Sequence, residues 1–196
     1  MEEDKRYALV ASAVAAKMDF DVIHAHDWLT YAAGIAAKAV SGKPLVVHMH
    51  ATEFDRSGEN INQNVYDIER KGMEEADKVI AVSNLTRKIV IDRYGIPPEK
   101  VTTVYNAVEP VYKEDGQYNR YVREKVVTFL GRITFQKGPD YFVEAAKKVI
   151  DKDPNVRFVM AGSGDMMNKI IRRVAQLKIA TKFHFTGFLQ GDDVDR

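Results

Sequence analysis

Short apolar runs and helical-period segments alternate along nearly the whole of this chain, and that alternation narrows what it can fold into. Residues 21–26, 45–50, 78–83 and 101–105 read as strands. Helical patterns fill the spaces between them, at 30–40, from about 62 to Ala76, and from Ser83 or Asn84, either suited to cap, to Tyr94. A first helix, rich in Ala and Val, precedes them at about Lys5–Met18, and Ala51 to about Asn62 is a polar loop. Glu109 to Lys125 is polar, carries Pro110 and Gly116 and holds no period, so it reads as an interdomain linker. The alternation then resumes with strand 126–130, helix 139–151, strand 156–161, helix 166–177 and strand 182–186.

Strands that each wait for a helix before the next strand predict parallel pairing. The expected fold is therefore α/β, with two doubly wound, Rossmann-like parallel sheets. About four strands fall in residues 1–110 and three in 126–196, with 111–125 as the connection. In such sheets ligands sit beyond the carboxyl ends of the strands. Polar and glycine residues do gather there: His26-Asp27-Trp28, His50 through Glu53, Ser83-Asn84, Asn106-Ala107-Val108, Gly131-Arg132, Gly162 through Asp165, and Gly187-Phe188-Leu189.

Composition removes several classes of function. With no cysteine, thiolate catalysis, disulfides and Cys-based zinc sites are excluded. No apolar run approaches membrane-spanning length and no signal-peptide core opens the chain, so a cytoplasmic location is expected. Residues 1–110 carry 13 Lys and Arg against 17 Asp and Glu, whereas 111–196 carry 16 against 11. A mildly basic second half suits an anionic ligand and falls well short of a nucleic-acid-binding face.

The segment Gly131-Arg132-Ile133-Thr134-Phe135-Gln136-Lys137-Gly138 names that anion. It joins a strand to a helix that opens at Pro139, where the lost N–H is not needed. The free amides and partial positive charge of that helix end, with Arg132 as a planar fork and Lys137 as a point charge, suit a phosphate or diphosphate. It lacks the Gly-Lys-Ser/Thr ending of a P-loop. Solvated surface cations are the plainer reading of Arg132 and Lys137. Gly162-Ser163-Gly164-Asp165, at the end of the next strand, tilts the balance, because glycine there permits positive φ and close backbone approach.

His24, His26, His48 and His50 form two His-x-His pairs, and the period of two puts each pair on one strand face. Four imidazoles invite a zinc reading. No ordered carboxylate spacing completes it, and no metal is expected. The alternative has His24 and His48 buried and hydrogen-bonded within the sheet, with His26 and His50 at the crevice. His50 is then placed to bond a sugar hydroxyl or a reacting oxygen. Asp27 either orients an imidazole or caps a helix, and Trp28 either stacks on a sugar or fills the core. Glu53, Asp55 and Arg56 read as a solvated loop with a possible acceptor contact.

This ordered set resembles the retaining glycosyltransferases that include bacterial and archaeal glycogen synthases. The resemblance is carried by His26-Asp27-Trp28, His50, Ala81-Val82-Ser83, Val104 through Val108, Gly131-Arg132-x4-Lys137-Gly138 and Gly162 through Asp165, and it runs from about Asp21 onward. It implies a GT-B architecture of an acceptor domain and a nucleotide-sugar domain, with the reaction in the cleft. By that resemblance Arg132 and Lys137 hold the donor diphosphate, and His50 contacts the transferred sugar. Gly131, Gly162, Gly164, Asp165, Gly187, Phe188 and Leu189 line the donor, and His26, Asp27 and Trp28 lie on the acceptor side. The implied donor is ADP- or UDP-glucose, the acceptor a glucan or other sugar, and no cofactor or obligatory metal is needed. Cationic neutralisation of the leaving group replaces a two-carboxylate mechanism. The family's first strand with its glycine-rich loop is expected before Met1, and its Glu-Pro-x-Gly segment beyond Arg196. The resemblance thus implies a chain truncated at both ends, either an enzyme or a remnant that binds nucleotide, itself or a complementing chain.

Overall fold

The computed structural model describes residues 2–109 and 122–194. Residues 110–121, most of the segment read as a linker, lie outside the described residues. The chain divides into two compact units, Met1–Glu109 and Pro110–Arg196.

The first unit runs α1 (Glu2–Ala15), β1 (Ile23–His26), α2 (Trp28–Ser41), β2 (Leu45–Met49), α3 (Glu53–Ser57), α4 (Gln63–Glu75), β3 (Lys78–Ala81), α5 (Asn84–Tyr94) and β4 (Val101–Thr103). Its strands pair in parallel in the order β1-β2-β3-β4. A parallel crossover is right-handed. Because every step moves the same way across the sheet, every crossover helix falls on the same face. The core records this: Ala25, Leu45, Val47, Met49, Val79, Ala81 and Val101 from the strands meet Tyr31 of α2, Met73 of α4, and Val90 and Tyr94 of α5. The alternate strand residues point the other way, and among the described residues no crossover helix covers them. His24 and His26 are exposed there, and Val46, His48 and Ile80 are half-buried.

The second unit repeats the scheme with β5 (Lys125–Leu130), α6 (Pro139–Ile150), β6 (Val156–Ala161), α7 (Met167–Gln176) and β7 (Phe183–Gly187), in parallel order β5-β6-β7. Val143 and Ala146 of α6 and Ile170 and Val174 of α7 pack on Phe158, Met160 and Phe183. Phe142 meets Phe158 and Phe183 edge-on at 5.7 and 6.3 Å. Both units are incomplete Rossmann-like sheets of the expected class.

Two segments depart from the expected pattern. The polar loop after β2 contains a helical turn, α3, because Thr52 and Asp55 close a capping box: the Thr52 side chain takes the Asp55 N–H, and Asp55 takes the Thr52 N–H at 2.7 Å. The cationic loop after β5 contains a 3-10 turn at Phe135–Lys137.

The packing of α4 on α2 rests on a missing side chain. A Cβ at Gly72 would lie 2.2 Å from Tyr31 Cδ2 and 2.7 Å from Tyr31 Cβ, and the Tyr31 ring is fully buried. Alanine at 72 is favoured by helix propensity by about 1 kcal/mol. Overpacking against the fixed root of Tyr31 costs about 1–3 kcal/mol. Gly72→Ala should therefore lower the midpoint of urea unfolding followed by circular dichroism; an unchanged or raised midpoint would refute this contact.

Candidate active site

In the second unit the carboxyl ends of the strands are tied together by backbone. Gly131 N–H donates to Ala161 O at 3.0 Å, Ile133 N–H to Ser163 O at 2.9 Å, Met166 N–H to Ile133 O at 3.1 Å, and Gly162 N–H to Gly187 O at 2.8 Å. Three loops predicted separately thus form one surface. Gly131, Arg132, Gly162, Phe188 and Leu189 line a cavity of about 240 Å³ together with Leu130, Ala161 and Ser163. Those last three were not singled out from sequence. Leu130 and Ala161 are simply the terminal strand residues, and Ser163 sits within the quoted glycine motif. Phe188 and Leu130 are 68% and 60% exposed, leaving apolar surface at the rim.

Lys137 and Asp165 lie outside that cavity, and the Arg132 side chain at its edge is bonded within its own loop. Lys137 is exposed and ends the 3-10 turn, its amide bonded to Thr134 O at 3.0 Å. Gly138 follows at φ 62° and supplies no side-chain cap to α6, while Asp140 Oδ1 takes the Tyr141 N–H at 3.1 Å. Arg132 is exposed and bonds Gln136 Oε1 at 3.3 Å, so the guanidinium is held on its own loop. Asp165 lines a different hollow of about 690 Å³, between α6 and α7 with Tyr141, Glu144 and Arg173.

Gly162 shows the positive φ and close backbone approach expected of the second loop, but the group that approaches is the neighbouring loop and not a ligand. A Cβ on Gly162 (φ 140°) would lie 1.9 Å from Gly131 O, and one on Gly164 2.3 Å from Ile133 O. Close approach is made by the neighbouring loop's backbone, which leaves no room for a side chain. Gly162→Ala should destabilise the second unit by about 3 kcal/mol or more, combining overpacking with a strained φ. Urea unfolding read by circular dichroism checks this, and a loss under about 1 kcal/mol would refute it.

In the first unit, β1 and β2 end in a shared polar cluster. Asp27 has φ 57° and ψ 168°, a conformation few side chains tolerate. It holds there because its N–H donates to His48 O at 2.9 Å and its Oδ1 accepts the His50 N–H at 2.8 Å. Asp27 occupies the capping position of α2 without capping it, and it orients the backbone of His50 rather than an imidazole. The imidazole partner is His26, whose Nδ1 lies 3.0 Å from His50 Nε2. Trp28, the first residue of α2, is half-buried, neither a core residue nor a fully presented platform.

The other two histidines differ from the expected buried, bonded pair. His24 is exposed. His48 is half-buried, with both ring nitrogens sealed from solvent and without a hydrogen-bond partner. Both lie on the face that the crossovers leave bare. Burial, aided by the His50 and His26 rings, pulls the His48 pKa down to about 4.

Glu53 is not solvated. It is 3% exposed, taking the Arg56 Nε–H at 3.1 Å, the Ser57 hydroxyl at 2.6 Å and the Asn62 N–H at 2.9 Å. Arg56 also pairs with the fully buried Glu69, which takes the Tyr94 hydroxyl and, at 3.0 Å, the Glu53 N–H. Burial pushes the Glu69 carboxyl up, while Tyr94 and Arg56 pull it down. Glu69 and Tyr94 carry no sequence signal for this role, because they bond each other across α4 and α5 and meet α3 only in the fold.

Two incomplete parallel Rossmann-like sheets, the second with glycine-tied loops at its carboxyl ends, match the fold of GT-B glycosyltransferases. The family description "Glycosyltransferase Family 4" matches residues 4–112, and "Glycosyl transferases group 1" matches residues 112–196. The chain belongs to these glycosyltransferase families. An uncharacterised glycosyltransferase of Methanocaldococcus jannaschii is 31% identical over 191 residues, covering 90% of this chain and 49% of the relative. A glycogen synthase of Mycobacterium tuberculosis is 24% identical over 174 residues, covering 86% and 42%. Among solved structures, Anabaena HepE in complex with UDP and glucose superposes with a TM-score of 0.73 at 21% identity, covering 93% of this chain and 51% of that one. The chain spans about half the length of the relatives it matches. Among the described residues, no helix is long and apolar enough to cross a membrane.

Asp27 gives a test of the first unit's edge. Asp27→Ala loses the acceptor for the His50 N–H at a cost of about 1–3 kcal/mol. Asp27→Asn keeps an acceptor oxygen and a residue type tolerant of positive φ. Unfolding midpoints should fall for the alanine variant and stay near wild type for asparagine; equal losses would refute the role assigned to Asp27 Oδ1.

Proposed function

We propose that this chain is built for retaining transfer of glucose from ADP- or UDP-glucose to a glucan or another sugar acceptor. The observation that carries the reading is the backbone-tied loop cluster at the ends of β5, β6 and β7. There Arg132 stands on a cavity floored by glycine and rimmed by Phe188 and Leu189. In this reading Arg132 and Lys137 neutralise the diphosphate, and so stabilise negative charge as it develops on the departing nucleotide. The open end of α6 adds its amides. Phe188 and Leu189 give the nucleotide an apolar wall. His50, held at its backbone by Asp27 and at its ring by His26, is the group assigned to the transferred sugar. His26 and Trp28 belong to the acceptor side. No cofactor is invoked, and the reaction is assigned to the cytoplasm.

Support for glucose comes from the glycogen synthase relative and from the UDP and glucose held by HepE. The alternative, a chain that binds nucleotide, itself or a complementing chain without turnover, makes a different prediction for the assays below.

Adding ADP- or UDP-glucose should raise the thermal unfolding temperature, since a ligand at 100 times its Kd stabilises by about 2.7 kcal/mol. The Arg132→Ala, Lys137→Ala double variant should lose most of that shift. An equal shift in the variant, or none in the wild type, would refute the donor assignment. Donor hydrolysis and glucosyl transfer assayed on the same sample separate enzyme from binding subunit.

A further inference from the structure

We propose that His24, His26 and His48 form a binding site for a divalent transition cation that prefers imidazole, with Zn²⁺ the probe of choice, on the face of the first sheet opposite its crossover helices. The parallel register sets His26 directly opposite His48, with His24 two residues back on β1. Side-chain alternation turns all three to the same face. One ring nitrogen from each lies within 4.8 Å of the other two. The His24 and His26 ring centroids are 4.3 Å apart, and His26 and His48 are 5.0 Å apart.

Sequence spacing offers no ordered carboxylate to complete a histidine ligand set. The register removes that objection, because a three-imidazole set needs no carboxylate. Three protein ligands leave the fourth tetrahedral position open to water. All-nitrogen ligation suits zinc, copper or nickel and disfavours magnesium and calcium.

Two observations separate this cluster from an ordinary patch of surface histidines. The first is His48. A neutral imidazole always carries one donor and one acceptor nitrogen. Both nitrogens of His48 are sealed and unpartnered, and a bond to a cation would satisfy one of them. The second is reach. Tetrahedral ligation at the usual Zn–N distance places the nitrogens roughly 3.4 Å apart. His24 is exposed beside Tyr7 and Ala11 of α1, so its ring can turn inward while the sheet holds His48 in place and His26 keeps its contact with His50.

The site also touches the residue assigned to the transferred sugar. His26 faces His50 through Nδ1 at 3.0 Å, which leaves Nε2 for a cation. With the cation on Nε2, the proton of His26 resides on Nδ1 and is donated to His50 Nε2. That fixes the His50 proton on Nδ1.

The test is calorimetric titration of ZnCl₂ into the untagged 196-residue chain in metal-free buffer. It is run beside His24→Gln, which alters an exposed side chain, and beside His184→Gln, which removes the fifth histidine, exposed in the second unit. Circular dichroism confirms that each variant is folded. Saturable uptake of one equivalent is expected, with His24→Gln weakening it at least fivefold, His184→Gln leaving it unchanged, and MgCl₂ giving no uptake. No saturable zinc uptake, a smaller loss in His24→Gln, or an equal loss in His184→Gln overturns the proposal.

Discussion

The handedness of the parallel crossover governs most of what this protein presents to its surroundings. A right-twisted strand followed by a helix packs back on the sheet in one sense only. In both sheets the strands follow one another in sequence order, so each crossover lands on the same side as the one before. One face of each sheet becomes a core of branched and aromatic side chains. The other carries residues unsuited to a core: three histidines in the first unit, and Arg157 and His184 beside Val126 and Val159 in the second. The same constraint that builds the hydrophobic cores thus gathers imidazoles on an open surface.

The loops at the carboxyl ends are rigid for a different reason. Parallel strands finish side by side and bring the departing chain segments within hydrogen-bonding distance. In the second unit this yields four inter-loop backbone bonds and a packing so tight that glycine alone fits at 162 and 164. The exposed Arg132 rides on that tied backbone. In the first unit the corresponding work is done by side chains. Asp27 accepts strain in φ and, in exchange, clamps the backbone of His50. Beneath the following turn, Glu53, Arg56, Glu69 and Tyr94 form a buried polar network in which the Glu53 N–H and carboxylate are both bonded. Breaking one partner of such a network leaves a charge without compensation, which is why its cost exceeds that of a surface pair.

Much of the fold was legible in the residues themselves. Seven strands and the helices between them follow from apolar periodicity, and the glycine and cation motifs fall at strand ends, where an α/β sheet puts its chemistry. The cavity residues Gly131, Arg132, Gly162, Phe188 and Leu189 were recognisable this way. Glu53 was not, because a polar stretch looks solvated until the Thr52–Asp55 capping box turns it inward onto α4 and α5. The purpose of Gly162 was hidden too, since the atom that excludes a side chain there is a carbonyl oxygen thirty-one residues away in sequence.

The sequence by itself determined the alternation of strand and helix, the parallel pairing, the family and the position of the cationic loop, because each is encoded in local periodicity or in short ordered motifs. Only the tertiary structure decided that the helices crowd onto one face, that His24 and His48 are not a buried, bonded pair, that Asp27 binds backbone instead of capping, and that Asp165 lines a hollow apart from Gly131, Arg132 and Gly162. Those outcomes depend on register and crossover direction. These are relations between segments distant in the chain, and no local window of residues contains them.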